Sequence, residues 1–250
     1  MHALSAYEDN KQGILKLVAL NSLNDSSHRI ETFDYHPRKH CLFHTHSFVH
    51  EKLGKLSDLV AVNDNIIYFT KSNQEADSLT MTLEAARGQV YLLDTRATHF
   101  YEVITRGHLF MPRCLAYLRE ERMLAVSNLA VQGLSLYKRE YDNSLSWMRD
   151  VNVGAFVWNV LVYQGLLWLS THPALHETVT LASSEKHVAA SQLVKMTLDF
   201  RHSREVEVTE RREYFATDGS LLGALSAAVV FRDRLMLFSF IGDPRVCLMH

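Results

Sequence analysis

The sequence predicts an all-β chain, on three observations. Pairs of short apolar runs recur around polar turns. A helix signature is confined to one segment of the 250 residues. The spacing of the hairpins is that of small repeated sheet units.

The elements follow in chain order. Residues 14–20 and 30–35 are the first strand candidates. Residues 59–62 and 66–70 flank Asn63-Asp64-Asn65 as a hairpin with a tight turn. Residues 72–87 carry acids early, Arg87 late and Gly88 as a stop, which reads as a short surface helix. A strand at 90–95 precedes the hairpin of 114–118 and 123–126 around Arg119-Glu120-Glu121. A strand at 134–137 precedes the hairpin of 156–162 and 166–170 around Tyr163-Gln164-Gly165. Residues 192–200 come before a last hairpin, 221–231 and 235–240, around Arg232-Asp233-Arg234. Turn centres recur every ~45 to ~70 residues, the scale of four-stranded propeller blades, whose inner strands are buried on both faces and read as continuous apolar runs. A β-sandwich competes on periodicity alone. With no Pro- or Gly-rich linker, residues 1–250 read as a single domain.

Composition narrows the function classes. A net charge of -2 gives no broad electrostatic reason to expect nucleic acid or an anionic membrane. The first residues are too polar for a signal peptide, and no apolar window is long enough to span a bilayer. Cys41, Cys114 and Cys247 form no CxxC pair, which excludes a zinc ribbon or a thioredoxin-like motif. His40, His44, His46 and His50 alternate with Cys41, Phe43, Thr45 and Phe48, so they read as a polar strand face ahead of a metal site. Ser183 and His187 are close, but no GxSxG elbow surrounds them. The mixed charges of 201–212 mark a solvated strand or loop. Asn24-Asp25-Ser26 is a single glycosylation sequon.

Four segments in order carry a resemblance. Met1-His2-Ala3-Leu4-Ser5 with Glu8-Asp9-Asn10 comes first, then Ser57-Asp58-Leu59-Val60-Ala61-Val62. Leu167-Trp168-Leu169-Ser170-Thr171-His172-Pro173 and the stretch from Tyr214 to Cys247 follow. Together they resemble the paraoxonase/arylesterase family over essentially the whole chain. The resemblance implies a six-bladed β-propeller with calcium in its central tunnel, here incomplete at the N-terminal blade and with short surface helices. In that family carboxylates and Asn side chains hold the catalytic ion, which acts as a Lewis acid on esters or lactones, and a histidine pair activates water.

Carried over residue by residue, the resemblance makes His2 the catalytic histidine and puts Asn21 where the second should stand. Asp58 and Ser57 replace a ligand pair, and Leu4 offers a backbone carbonyl to calcium. A ligand Asn becomes Pro112, and a ligand pair falls near Phe156 and Val157, with Asn152 and Asn159 within a small register shift. His172 lies at the pocket mouth. Cys247 corresponds to a family cysteine whose disulfide partner precedes this chain, so an ordinary buried thiol is expected. These losses imply a weak or vestigial calcium site and a degenerate hydrolase kept as a binding or chaperone-like module, a pseudoenzyme. The alternative is a calcium-dependent arylesterase or lactonase. The expected partner is another protein or an apolar small molecule, with a homo-oligomer possible and no nucleic acid. The family implies an extracellular, endoplasmic reticulum or membrane-associated location.

Overall fold

The structure, a computed structural model, describes residues 3–9, 13–24, 27–50, 53–54, 56–72, 87–104, 109–174, 189–202, 205–231, 234–239 and 245–248. Nineteen strands run through them. The chain divides into two compact units, Met1–Arg119 and Glu120–His250.

The first unit holds two antiparallel meanders. One consists of β1 (Ala3–Asp9), β2 (Ile14–Asn24), β3 (Ser27–His36) and β4 (Cys41–Phe48), in that spatial order. The other consists of β5 (Leu56–Ala61), β6 (Ile66–Ser72), β7 (Gly88–Asp94) and β8 (His99–Ile104). Their apolar residues merge in one core around Leu20, Ile30, Leu59, Phe69 and Leu93. Phe69 stacks on Tyr91 and meets Phe100 edge-on. The Ser5 hydroxyl accepts the Ala61 N–H at 3.0 Å and so ties β1 to β5. Ser5→Ala leaves that N–H without its acceptor beside a buried Ala61. It is expected to cost about 1–3 kcal/mol in urea unfolding.

The next sheet has the order β12-β11-β10-β9, from β9 (Leu115–Leu118), β10 (Met123–Asn128), β11 (Gly133–Arg139) and β12 (Leu145–Asn152). A 3-10 turn, Leu129–Val131, bridges β10 and β11. Asn128 caps it by accepting the Ala130 N–H. In the second unit β13 (Phe156–Tyr163), β14 (Leu166–His172), β15 (Ser191–His202) and β16 (Glu205–Thr217) form a further four-stranded sheet. Gln164 and Gly165 both have positive φ, as a two-residue hairpin turn between β13 and β14 requires. The last sheet has three strands, β17 (Leu225–Phe231), β18 (Arg234–Ser239) and β19 (Arg245–Leu248). Trp168, Leu193, Leu225 and Leu237 centre the core it shares with β14 and β15.

The all-β propeller class holds, with corrections. Four-stranded meanders are the blade unit of propellers, but among the described residues four such sheets form, not six, and one further sheet has three strands. Six blades would take about two dozen strands, and the described residues hold nineteen. The stretch from Ala3 to Phe48 supplies all four strands of the first sheet; the three-stranded sheet is the last. No surface helix is seen among the described residues, whose one helical element is the 3-10 turn. Of the expected helix at 72–87, Ser72 ends β6 and Arg87 bridges to Phe110. Residues 73–86 lie outside the described residues, as do Ser183, His187 and the Asp25-Ser26 part of the sequon.

Candidate functional site

Strand β5 opens with an irregularity. Leu56 pairs with Lys71 and Asp58 with Thr70, so Ser57 has no partner across the ladder. Such a bulge re-aims the neighbouring side chain. The Asp58 N–H donates to Thr70 Oγ1 at 3.1 Å. Its carboxylate accepts twice, Oδ1 from the Leu59 N–H at 2.8 Å and Oδ2 from the Leu115 N–H at 2.9 Å. Asp58 therefore staples the start of β5 to the start of β9.

The residue is half-buried, and its carboxyl is the buried part. Burial pushes that carboxyl up to about 7, against the pull of the Leu115 and Leu59 N–H groups and the Arg113 charge. Arg113 is itself brought down to about 10 by burial, opposed by Cys114 and Asp58. It stays a cation at neutral pH. Pro112, where the resemblance puts a ligand position, is buried in the same stretch. A Cβ on Gly88 would lie 2.1 Å from its ring, so Gly88 is what lets Pro112 seat.

The other sequence candidates fall as follows. Leu4 is on β1, with its side chain exposed. His2 lies outside the described residues. Asn21, on β2, hydrogen-bonds Glu31. His172, on β14, is fully buried, with Nδ1 3.2 Å from the Ala190 carbonyl and 3.3 Å from Ser191 Oγ, and its ring edge-on to Trp158. Phe156 and Val157 are core residues, whereas Asn159 is half-buried. Asn152 is exposed and accepts the Gly154 N–H. The side chain of Cys247 lies outside the described residues.

The histidine-rich stretch forms β4 and its flanks. β4 is exposed along all but its last residue, and Thr45 bulges between His44 and His46. His44 Nε2 is 2.9 Å from Glu31 Oε2 and 3.1 Å from Ser47 Oγ, and Ser47 also donates to Glu31. Burial works to raise the Glu31 carboxyl, but the bonds from Ser47 and His44, with the His44 charge and Asn21, hold it below its ordinary value. Ser, His and Glu are together here, yet one ring nitrogen faces both partners. A relay needs the acid on one nitrogen and the serine on the other, so this is a carboxylate with two donors.

His28 is absent from the sequence reading. It is buried, and its ring Nδ1 accepts the Leu56 N–H at 2.9 Å while its backbone N–H donates to the Leu53 carbonyl. Nδ1 is therefore unprotonated, and His28 fixes the residue from which β5 departs. His28 lies near the start of β3, and its one sequence signal is a histidine between the strand candidates 14–20 and 30–35.

Calcium takes six to eight oxygens. Of the ligand positions the resemblance carries over, the described residues of the first unit offer one carboxylate, Asp58, with both oxygens already engaged, the Ser57 hydroxyl and the Leu4 carbonyl. A neighbouring cation, Arg113, raises the cost of a second one. These residues do not fit a tight calcium site. Among the described residues no group of three or more His, Cys, Asp or Glu side chains is placed to hold a metal ion.

A family model described as Arylesterase matches residues 1–247. The chain belongs to the arylesterase family. Solved structures with 8–11% identity share this chain's fold. A candidate 6-phosphogluconolactonase of Bacteroides uniformis matches with 8% identity and TM-score 0.54, over 95% of this chain and 77% of that one. A luciferin-regenerating enzyme matches with 11% identity and TM-score 0.53, over 94% and 68%. A chain of a nidogen/laminin complex matches with 11% identity and TM-score 0.51, over 95% and 71%. No curated protein matches the chain significantly.

Proposed function

We propose that this arylesterase-family chain is a catalytically degenerate propeller that serves as a binding or chaperone-like module, with calcium bound weakly or not at all. The observation that carries the reading is the state of Asp58. Its two oxygens hold the Leu59 and Leu115 N–H groups, and the Arg113 charge that acts on the same carboxyl opposes a second cation there. A hard cation is favoured by several free carboxylates; this carboxyl serves the backbone instead. Pro112 adds no oxygen at a ligand position. The client is a protein or an apolar small molecule, met in the extracellular or endoplasmic reticulum setting of the family.

A second reading, a calcium-dependent esterase or lactonase, draws on family membership and on Asp58 titrating near neutrality. Hydrolysis of phenyl acetate and of a simple lactone by the folded chain, with calcium and with a chelator, separates the two. The expected result is the same background rate in both, unchanged in Asp58→Asn. Calcium-dependent turnover lost in Asp58→Asn would establish the hydrolase.

A further inference from the structure

Leu4 and Leu42, 58% and 54% exposed, lie on one sheet face, and Val229 and Phe231, 42% and 56% exposed, lie on another. The first face belongs to the first unit. Ser5, Val18, Leu20 and Ile30 mark the side of the β1–β4 sheet that packs towards β5. Alternation along the strands puts Leu4, Leu15, Leu17, Phe33, Tyr35 and Leu42 on the opposite side. There Leu15, Tyr35 and Leu42 form one cross-strand row, and Leu17 pairs with Phe33. The second face belongs to the second unit. Ala228, Val230, Leu235 and Leu237 turn into the core around Trp168, so Val229, Phe231, Met236 and Phe238 turn away from it.

A sheet with one face in water alternates apolar and polar residues; a sheet covered on both faces does not. β2 runs Ile14-Leu15-Lys16-Leu17-Val18-Ala19-Leu20, and β18 runs Leu235-Met236-Leu237-Phe238. Both strands are composed for two covered faces. Contiguous apolar surface left open in this way marks an interaction site. The layer that fits a sheet face is another sheet face, and a second copy of the chain carries one for each. The rims agree with that pairing. Glu8 pairs with Leu15 and so stands on the first face, while Arg234 pairs with Phe231 and so stands on the second; both are exposed. The ion pairs among the described residues include neither of them. Unlike faces set an acidic rim against a basic one, whereas like faces would set one sign against itself.

We propose that the chain forms a two-fold dimer in which the first-sheet face of each copy packs on the last-sheet face of the other. Strand spacings of ~4.8 Å and rises of ~3.3 Å per residue give the faces covered in such a pair a total of roughly 1,400 Å². Stable interfaces cover about 1,200–2,000 Å². Exchange of both faces closes the assembly at two copies. The dimer does not rest on whether the chain hydrolyses esters.

The test is sedimentation velocity of the full chain from about 1 to about 100 µM, with Leu42→Asp and Phe231→Asp alongside. The parent is expected to be dimeric in the upper part of that range, and each variant to associate about tenfold more weakly or worse. Both substitutions are at exposed positions, and far-UV circular dichroism checks the fold. In an equimolar mixture of the two variants a mixed pair keeps one intact contact. The mixture is therefore expected to associate about tenfold more tightly than either variant alone. A parent that stays monomeric at about 100 µM, variants that associate like the parent, or a mixture no tighter than its components would each overturn the proposal. So would loss in one variant only, which would mean a face that pairs with itself. Should a variant fail to fold, Glu8→Arg decides: association is expected to weaken and to return when Arg234→Glu is added. No weakening, or weakening without return, would contradict the pairing.

Discussion

Asp58→Asn is expected to remove a fall in stability that the parent chain shows between about pH 4 and about pH 7. The ordinary value of the carboxyl is 3.8 and burial raises it to about 7 in the folded state. The fold therefore binds this proton more tightly than the unfolded chain does. Folding takes up a proton between those values, so the contribution of Asp58 is complete at low pH and is lost as pH rises through about 7. The slope reaches at most about 1.4 kcal/mol per pH unit. Other groups do not imitate this. Asp94, Asp142 and Asp218 are held below their ordinary values by bonds from Arg96, Ser144 and Ser220. Their contributions are lost as pH falls, in the acidic range. Urea unfolding of both chains across the window gives the difference directly. A flat difference would mean a solvated carboxyl and no buried staple. Asp58→Ala, which strips both acceptors, is expected to cost about 1–3 kcal/mol for each N–H left unpartnered.

Gly133→Ala is expected to be as damaging, in the second unit and for steric reasons. Gly133 opens β11 opposite Asn152 and is buried. A Cβ there would lie 1.9 Å from the Val151 carbonyl oxygen, with Val153 N at 3.1 Å. Both obstacles are backbone, so no rotamer change relieves them and the end of the β11–β12 ladder must part. Overpacking without a side-chain escape is expected to cost about 3 kcal/mol or more. Urea unfolding and soluble yield measure it. A loss below about 1 kcal/mol would show that the ladder shifts freely at this end.

What was legible in the sequence follows burial. The inner strands β5, β6, β9, β10, β13 and β14 announce themselves, since runs such as Leu59 to Ala61 and Leu167 to Leu169 are packed on both faces. The outer strand of each four-stranded sheet is different: β4, β8, β12 and β16 are largely exposed. Their charged and aromatic residues carry no apolar run, so β8 and β12 gave no strand signal, and β16 read only as a solvated strand or loop. Exposed edges with mixed charge also resist pairing with other chains, which removes the pattern a reader needs. At the site, Asp58 was legible through the motif that contains it. Its bond to Leu115 was not, because 57 residues separate the partners in sequence. His28 was invisible for the same reason, as its role is fixed by Leu56 on another sheet.

Calcium titration of the full chain by calorimetry near pH 7.5 tests the central claim most directly. If Asp58 is a backbone staple in an arylesterase-family propeller that has lost its chemistry, binding is expected to be absent or weaker than about 1 mM, and the same in Asp58→Asn. Micromolar or tighter binding that disappears in Asp58→Asn, with a proton released as the ion enters, would contradict it.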